Sequence, residues 1–462
     1  MSSFLPSAAL PRVSRRGALQ TASAGFGAVA LAGLLGQNRA SAARSAAKPG
    51  PLAARPQPHP AKAKRIIFLF MQGAISQMDT WEYKPQLQKD GGKVGPGGGT
   101  LTASKFGFQQ YGQTGTWVSD LFSKTAEHVD KFCFLRGLHT DTPAHPQAVI
   151  QLHTGTALAS LTRPSMGSWL LYGLGTENQD LPGYITINPP PNFGGATNYG
   201  SAFLPAHFQG TRINDTGYLP NLKASSERTL QRKQIDLVQQ MNRDLATGPN
   251  APDQLDGVIE SYELAFKMQG KVPELLDISQ EPQHVLDAYG VKNGPAGSFA
   301  RQCVMARRLS EAGVRFVEIC HPGWDQHNNL HNGLINNARA TDQPTAALLA
   351  DLEQRGLLDE TLVLFGSEFG RLPTSQGVDG RDHNITGYPM WMAGAGVKPG
   401  FTYGASDEYG IHATEGRMHT TDLHATLLAL MGLNHEELTY RYAGRDFRLT
   451  DVAGNVVREI FS

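Results

Sequence analysis

A three-layer α/β/α sandwich around a mainly parallel central sheet is predicted by two features of the sequence. Five short, continuous apolar runs recur along the chain, each the length of a strand buried on both faces. Stretches with apolar residues at helical spacing separate them. Strands alternating with helices put helices on both faces of one sheet. With 462 residues, 40% of them hydrophobic and 18% charged, the chain can bury a large core.

The elements follow in order. Residues 1–42 read as a targeting segment: Ser14-Arg15-Arg16-Gly17-Ala18-Leu19 sets a twin arginine before a Gly/Ala/Leu run from Thr21 to Gly36, and Ala40-Ser41-Ala42 offers a small-residue cleavage site. That run is too short and too weakly apolar for a membrane span. The expectation is a periplasmic or secreted protein exported folded by the twin-arginine route, meeting the membrane only for export. Residues 43–63, rich in Pro and Ala, read as a linker, and 64–462 as a single domain. Strands are expected at Arg65 to Met71, Gly183 to Ile187, Val314 to Ile319, Thr361 to Phe365 and Tyr388 to Ala393. Helices are expected at Ser226 to Leu245, Ala251 to Gln269, Ser298 to Ala312 and Ala338 to Gly356. The glycine-rich stretch Gly91 to Gly115 reads as a surface loop or small hairpin.

Charge and motifs exclude several function classes. Lys plus Arg and Asp plus Glu number 41 each, so no global field favours nucleic acid or an anionic membrane, and an anionic ligand must be held locally. Neither G-x-x-x-x-G-K-[ST] nor a strand-linked G-x-G-x-x-G occurs, so nucleotide binding is not expected. Cys133, Cys303 and Cys320 lack the paired spacings of a zinc knuckle and read as buried free thiols, with a Cys303–Cys320 bridge as the alternative in an oxidising compartment.

In open α/β sheets ligands gather beyond the carboxyl ends of the strands. Metal-type residues recur there in this sequence. Asp79 follows the first strand; Asp325 and His327 follow the strand ending at Ile319; Glu368 and Arg371 follow Phe365, and Asp382 and His383 come in the next loop. Each has a plainer reading: Asp79 as a helix cap, His327 or His383 as a hydrogen-bonded histidine, Glu368 and Arg371 as a mutual pair. Their repetition at strand ends favours ligands for zinc, manganese or iron.

The run from Gly356 to Gly370 resembles the sulfatase segment LLDNTLVIFTSDHG, Tyr388 to Gly400 resembles VPLIVAGPGVKPG, and Thr421 to Leu433 resembles TDLAPTLLDLLGI. Arg163-Pro164-Ser165-Met166-Gly167-Ser168-Trp169, Gly323-Trp324-Asp325-Gln326-His327, Glu368-Phe369-Gly370-Arg371, Gly380-Arg381-Asp382-His383 and Gly444-Arg445-Asp446-Phe447 look like domain-of-unknown-function family 1501, a secreted, sulfatase-like branch of the alkaline phosphatase superfamily. The likeness runs from about Lys64 to Phe461.

This resemblance implies an alkaline phosphatase/sulfatase-like fold and an exported, metal-dependent hydrolase of phosphate or sulfate esters, acting on a small molecule or a polysaccharide. Asp325, His327 and His383 would hold one divalent ion, and Asp79 and Glu368 a second; zinc, manganese or calcium are the candidates, one or two in number. Two ions about 4 Å apart would clamp the reacting oxygens, with Arg371 neutralising an oxyanion. His424 is a ligand, a residue behind one, or a packing residue. The departures from the superfamily point elsewhere. Gln72 stands where its active enzymes carry Asp, and no Cys-x-Pro-x-Arg occurs, which argues against a formylglycine sulfatase. Thr142 becomes the candidate nucleophile and His145 a candidate ligand; Ser165 and Ser168 offer hydroxyls but also read as a turn. The alternative is a catalytically degenerate metal- or glycan-binding protein on the same fold.

Overall fold

The structure is a computed structural model that describes residues 50, 52–96, 98–158, 160–219, 227–246, 255–291, 297–375, 377 and 379–462. The expected targeting segment, the start of the linker, Ser226 and residues 251–254 lie outside the described residues.

Strand β1 (Arg65–Met71) is buried in all but its first residue, and its alternate side chains serve two cores. Ile67, Leu69 and Met71 enter one; Ile66, Phe68 and Phe70 enter the other. Around it stand β2 (Phe132–His139), β3 (Tyr184–Ile187), β4 (Thr211–Ile213), β5 (Phe316–His321), β6 (Thr361–Gly366), β7 (Tyr388–Gly394), β8 (Phe401–Tyr403) and β9 (Met418–His419). Their order across the sheet is β8-β2-β7-β6-β1-β5-β3-β4, with β9 also paired to β2. Pairing is parallel throughout except at β7, which runs antiparallel to β2 and β6.

The main helices are α1 (His145–Thr154), α2 (Met166–Leu174), α3 (Arg228–Ala246), α4 (Leu255–Leu276), α5 (Gln283–Tyr289), α6 (Phe299–Glu311), α7 (Leu330–Gln354) and α8 (Thr420–Leu430). Apolar residues of α6 and α7, such as Cys303, Val304, Leu334 and Leu348, fill the core on one face of the sheet. Ala148 and Leu152 of α1, Trp169 of α2 and Leu427 of α8 fill the other. This is the expected α/β sandwich with its mainly parallel sheet.

All five expected strands are present. The expectation missed β2, whose apolar run is broken by Arg136 and Gly137, and α1, whose ten residues carry a proline and two histidines. Helix α7 begins at Leu330, earlier than expected, and runs through Pro344. The glycine-rich stretch ends in a hairpin, Phe108–Tyr111 paired with Thr116–Ser119. Residues 52–63 are not a free linker: Leu52 is buried, Arg55 N donates to Leu174 O and His59 N donates to Gly432 O. All three cysteines are buried and free, and burial pushes the Cys133 thiol up to about 12. Among the described residues no helix is long and apolar enough to cross a membrane.

Candidate metal centre

The carboxyl ends of three adjacent strands, β6, β1 and β5, deliver most of the site. Gly73 follows β1, Asp325 and His327 follow β5, and Glu368 and Arg371 follow β6. A two-residue antiparallel ladder pairs His383 with Arg371 and so swings the Asp382-His383 loop back over the strand ends. His145 enters from the first turn of α1, beyond β2.

The side chains then converge. His145 Nε2 and His327 Nε2 each lie 3.1 Å from Asp325 Oδ1, and His383 Nε2 lies 3.5 Å from it. His327 Nε2 and His383 Nε2 are 2.8 Å apart, and the ligand atoms of His145, Asp325 and His383 all fall within 4.8 Å of one another. Two nitrogen ligands of a tetrahedral zinc ion stand about 3.3 Å apart, given bonds of about 2.0 Å. The observed spacings bracket that value.

Two of the rings are held by hydrogen bonds on their far sides. His383 Nδ1 is 2.6 Å from the Pro143 carbonyl, which only accepts, so Nδ1 donates to it. His145 Nδ1 donates in the same way to Glu368 Oε1 at 2.6 Å, and His327 Nδ1 lies 3.5 Å from Asp382 Oδ1. The Nε2 atoms of the three rings and a carboxylate oxygen face one another, with Arg371 Nη1 3.4 Å from His327 Nε2, and the set of His145, Asp325 and His383 is of a kind that can hold a metal ion. Oriented imidazoles backed by carboxylate or carbonyl groups are the usual setting of metal-binding histidines. Burial disfavours protonation of His145, but Asp325 and Glu368 outweigh it and raise its pKa above the ordinary histidine value. For Asp325 burial is likewise outweighed, here by His145, His383 and Arg371, which hold the carboxyl far below the usual range.

Arg371 braces this arrangement. It is fully buried; Nε donates to Ala74 O at 3.0 Å, Nη1 to Arg381 O at 3.1 Å, and Nη2 to Trp324 O at 3.2 Å, to Gly73 O and to Asp325 Oδ1 at 2.7 Å. Its donors are taken within the protein, so it positions Asp325 and does not reach a substrate oxyanion as the sequence led us to expect. Gly73 permits the close approach: with φ at +108°, a Cβ there would sit 2.5 Å from Asp325 N.

The remaining expected site residues divide. Glu368 is engaged within the protein: its carboxylate accepts from His145 Nδ1 and from Gly73 N at 3.0 and 3.2 Å, which makes it the partner of a histidine in the group. Asp79, the other residue expected at a second ion, is likewise engaged: Arg381 Nε and Nη2 donate to it at 2.7 and 3.2 Å and Ser76 Oγ at 2.5 Å. Burial would raise its pKa, but Arg381 more than offsets this and lowers it. A protein guanidinium thus neutralises the carboxylate assigned to a second ion. His424 is buried away from the group, its Nε2 donating to Leu152 O at 2.7 Å. Thr142 lies beside Pro143 at the rim, its Oγ1 accepting from Ala144 N. Ser165 and Ser168 are buried at the start of α2, where Ser165 caps the helix. Gln72 Oε1 faces Cys320 Sγ at 3.6 Å.

Two aromatic residues escaped the sequence reading. Phe193 stacks on His145 at 5.2 Å, and Phe369 stacks on it at 4.7 Å from Gly370's side of the motif while also touching His383 at 4.8 Å. Phe369 stood inside Glu368-Phe369-Gly370-Arg371 and was legible there; Phe193 gave no signal. A cleft of about 380 Å³ opens beside His327 and His383, which line it with Asn328, Gly377 and Asp382. Glu368→Gln, which removes the anionic partner of His145, is expected to weaken zinc binding by about 10- to 100-fold in a competition titration, with the fold intact by circular dichroism.

In solved structures the chain is similar to the lipoteichoic acid synthase LtaP from Listeria monocytogenes, with 8% identity over 86% of this chain and 78% of that one and a TM-score of 0.37. It is similar to the alkaline phosphatase from the Antarctic bacterium TAB5, with 12% identity, 81% and 99% coverage and a TM-score of 0.36. It is also similar to the PsFucS1 sulfatase from Pseudoalteromonas sp., with 13% identity, 81% and 68% coverage and a TM-score of 0.36. No curated protein matches the chain in sequence. Residues 63–461 match DUF1501, a family of proteins of unknown function, and the chain belongs to that family.

Proposed function

We propose that this protein is a metal-dependent hydrolase of phosphate or sulfate esters that works with a single divalent ion. The observation that carries the reading is the convergence of His145, His327 and His383 on Asp325 beside an open cleft that His327 and His383 line. Structural zinc sites are closed, whereas catalytic ones keep a face to solvent; here the Asp325 and His327 side chains are 39% and 42% exposed. The nitrogen-rich set suits zinc, manganese or iron and argues against calcium, which takes oxygen ligands. The ester specificity rests on the resemblance of the strand-end motifs to sulfatases and alkaline phosphatases, and export on the twin-arginine pattern.

A bound ion would polarise an ester oxygen and lower the pKa of a water. Beside it Glu368 and the Pro143 carbonyl orient His145 and His383 through their Nδ1 atoms, and Thr142, next to Pro143 in sequence, carries the candidate hydroxyl. One observation favours a second reading, a degenerate metal- or glycan-binding protein: Arg371 has no donor to offer, and no lysine or arginine is among the described residues lining the cleft. Elemental analysis of the purified protein, followed by assays on aryl phosphate, phosphodiester and aryl sulfate, separates the two. One equivalent of ion with turnover is the expected result. One equivalent with no turnover on any ester supports the binding protein, and no ion overturns both.

A further inference from the structure

We infer that His153 and Glu318, a buried pair distant from the cleft, are positioning residues that set the separation of His145 from Asp325 and thereby the affinity of the metal centre. This rests on the metal reading given above. His153 lies eight residues beyond His145 on α1, about 12 Å along the helix, and Glu318 lies on β5, the strand whose extension carries Asp325 and His327. One pair therefore joins the two elements that deliver opposing ligands.

The geometry of the pair is fully specified. His153 Nε2 is 2.8 Å from Glu318 Oε1, and His153 Nδ1 is 2.7 Å from Val149 O. The Val149 carbonyl only accepts, so Nδ1 carries a proton; burial disfavours a second one, but Glu318 beside Nε2 outweighs it and raises the ring's pKa, which favours the ion pair. Tyr184 OH donates to the other Glu318 oxygen at 3.3 Å. Both partners are buried, among apolar neighbours that include Phe68 and Phe70, the latter edge-on to the ring at 5.2 Å.

Adhesion alone does not explain a charge pair in this layer. Ala148, Val149 and Leu152 already pack α1 onto the sheet, and well-packed hydrophobic residues generally hold two elements at least as firmly as a buried ion pair. What the pair adds is a fixed direction and distance. A loosely seated α1 would slide His145 along β5, and ligand misplacement of a fraction of an ångström matters to an ion with bonds of about 2 Å.

The test uses zinc and cobalt(II) on the full chain. Glu318→Asp keeps the charges and shortens the reach. The double variant His153→Met with Glu318→Met removes the pair without leaving a lone buried charge, and Tyr184 OH keeps Asn198 O as its partner at 3.4 Å. Both variants are expected to bind zinc at least tenfold more weakly than wild type and to show an altered visible spectrum in the cobalt form, with the double variant as heat-stable as wild type. Val304→Ala, buried on the opposite face in α6, should lose stability and keep wild-type zinc affinity. Wild-type affinity and an unchanged cobalt spectrum in either folded variant would overturn the inference. Wild-type protein that takes up neither ion would instead defeat the metal reading beneath it.

Discussion

Asp325→Ala is expected to lower zinc affinity by more than 100-fold, the largest loss for any single change in the group. Asp325 is its only anionic member, and its Oδ1 is the atom on which all three imidazoles converge. The change also strands Arg371, a fully buried cation whose one side-chain counter-charge at hydrogen-bond distance is Asp325. Breaking a buried pair from one side costs about 3–5 kcal/mol; Asp325 is partly exposed, and solvent screening reduces this to about 1–3 kcal/mol. Isothermal titration with zinc and urea unfolding read the two effects separately. His383→Ala should lose metal as well. His435→Ala should not, because His435 hydrogen-bonds Thr450 Oγ1 outside the group. Equal metal retention in all three variants would mean the site is misplaced.

His207→Leu is expected to stabilise the protein, and more so in acid. His207 is buried with neither ring nitrogen bonded, and a buried polar group without a partner costs about 1–3 kcal/mol. Burial, helped by Arg55, depresses its pKa from 6.5 to about 4. A histidine depressed in the folded state binds fewer protons than in the unfolded chain between these values. Its contribution is therefore intact above pH 6.5 and is lost as the pH falls towards 4. At about 1.4 kcal/mol per pKa unit, the advantage of the leucine variant should widen by up to about 3 kcal/mol over that range. Urea midpoints of both proteins at pH 7.5, 5.5 and 4.5 measure it. The difference between the proteins is the quantity to follow, because His145 and His153, raised in the folded state, push the wild-type curve in the opposite direction. A gap that stays constant with pH would show that His207 is solvated.

The sheet was legible because its buried strands are continuous apolar runs; β1, β5 and β6 are written that way, and the ligands behind them inherit the same visibility. β2 was not, because Arg136 and Gly137 interrupt it, and with it went the position of α1. Asp325, His327 and His383 therefore stood out from the sequence as metal-type residues after strand ends, whereas their grouping at one ion, like the candidacy of His145, came only through the family resemblance. What composition and spacing could not convey is which carboxylates are already neutralised. Asp79 and Glu368 look alike as residues after strands, and only the fold shows that Arg381 pairs with the first and His145 with the second. Arg371 likewise carries the residue type of an oxyanion binder, and its engagement with four carbonyl oxygens depends on loops separated by up to 298 positions in sequence.

That guanidinium also bears on the protein's metallation history. The loops after β1, β5 and β6 are tied together by Arg371 through backbone carbonyls, and these ties owe nothing to an ion. Removal by a chelator should leave the chain folded and ready to be refilled, unlike a zinc finger, whose fold depends on its metal. Such a scaffold would discriminate little by folding: on the metal reading proposed above, the ion bound would be set by which cations surround the site when it is filled, and a later change of surroundings would replace one with another.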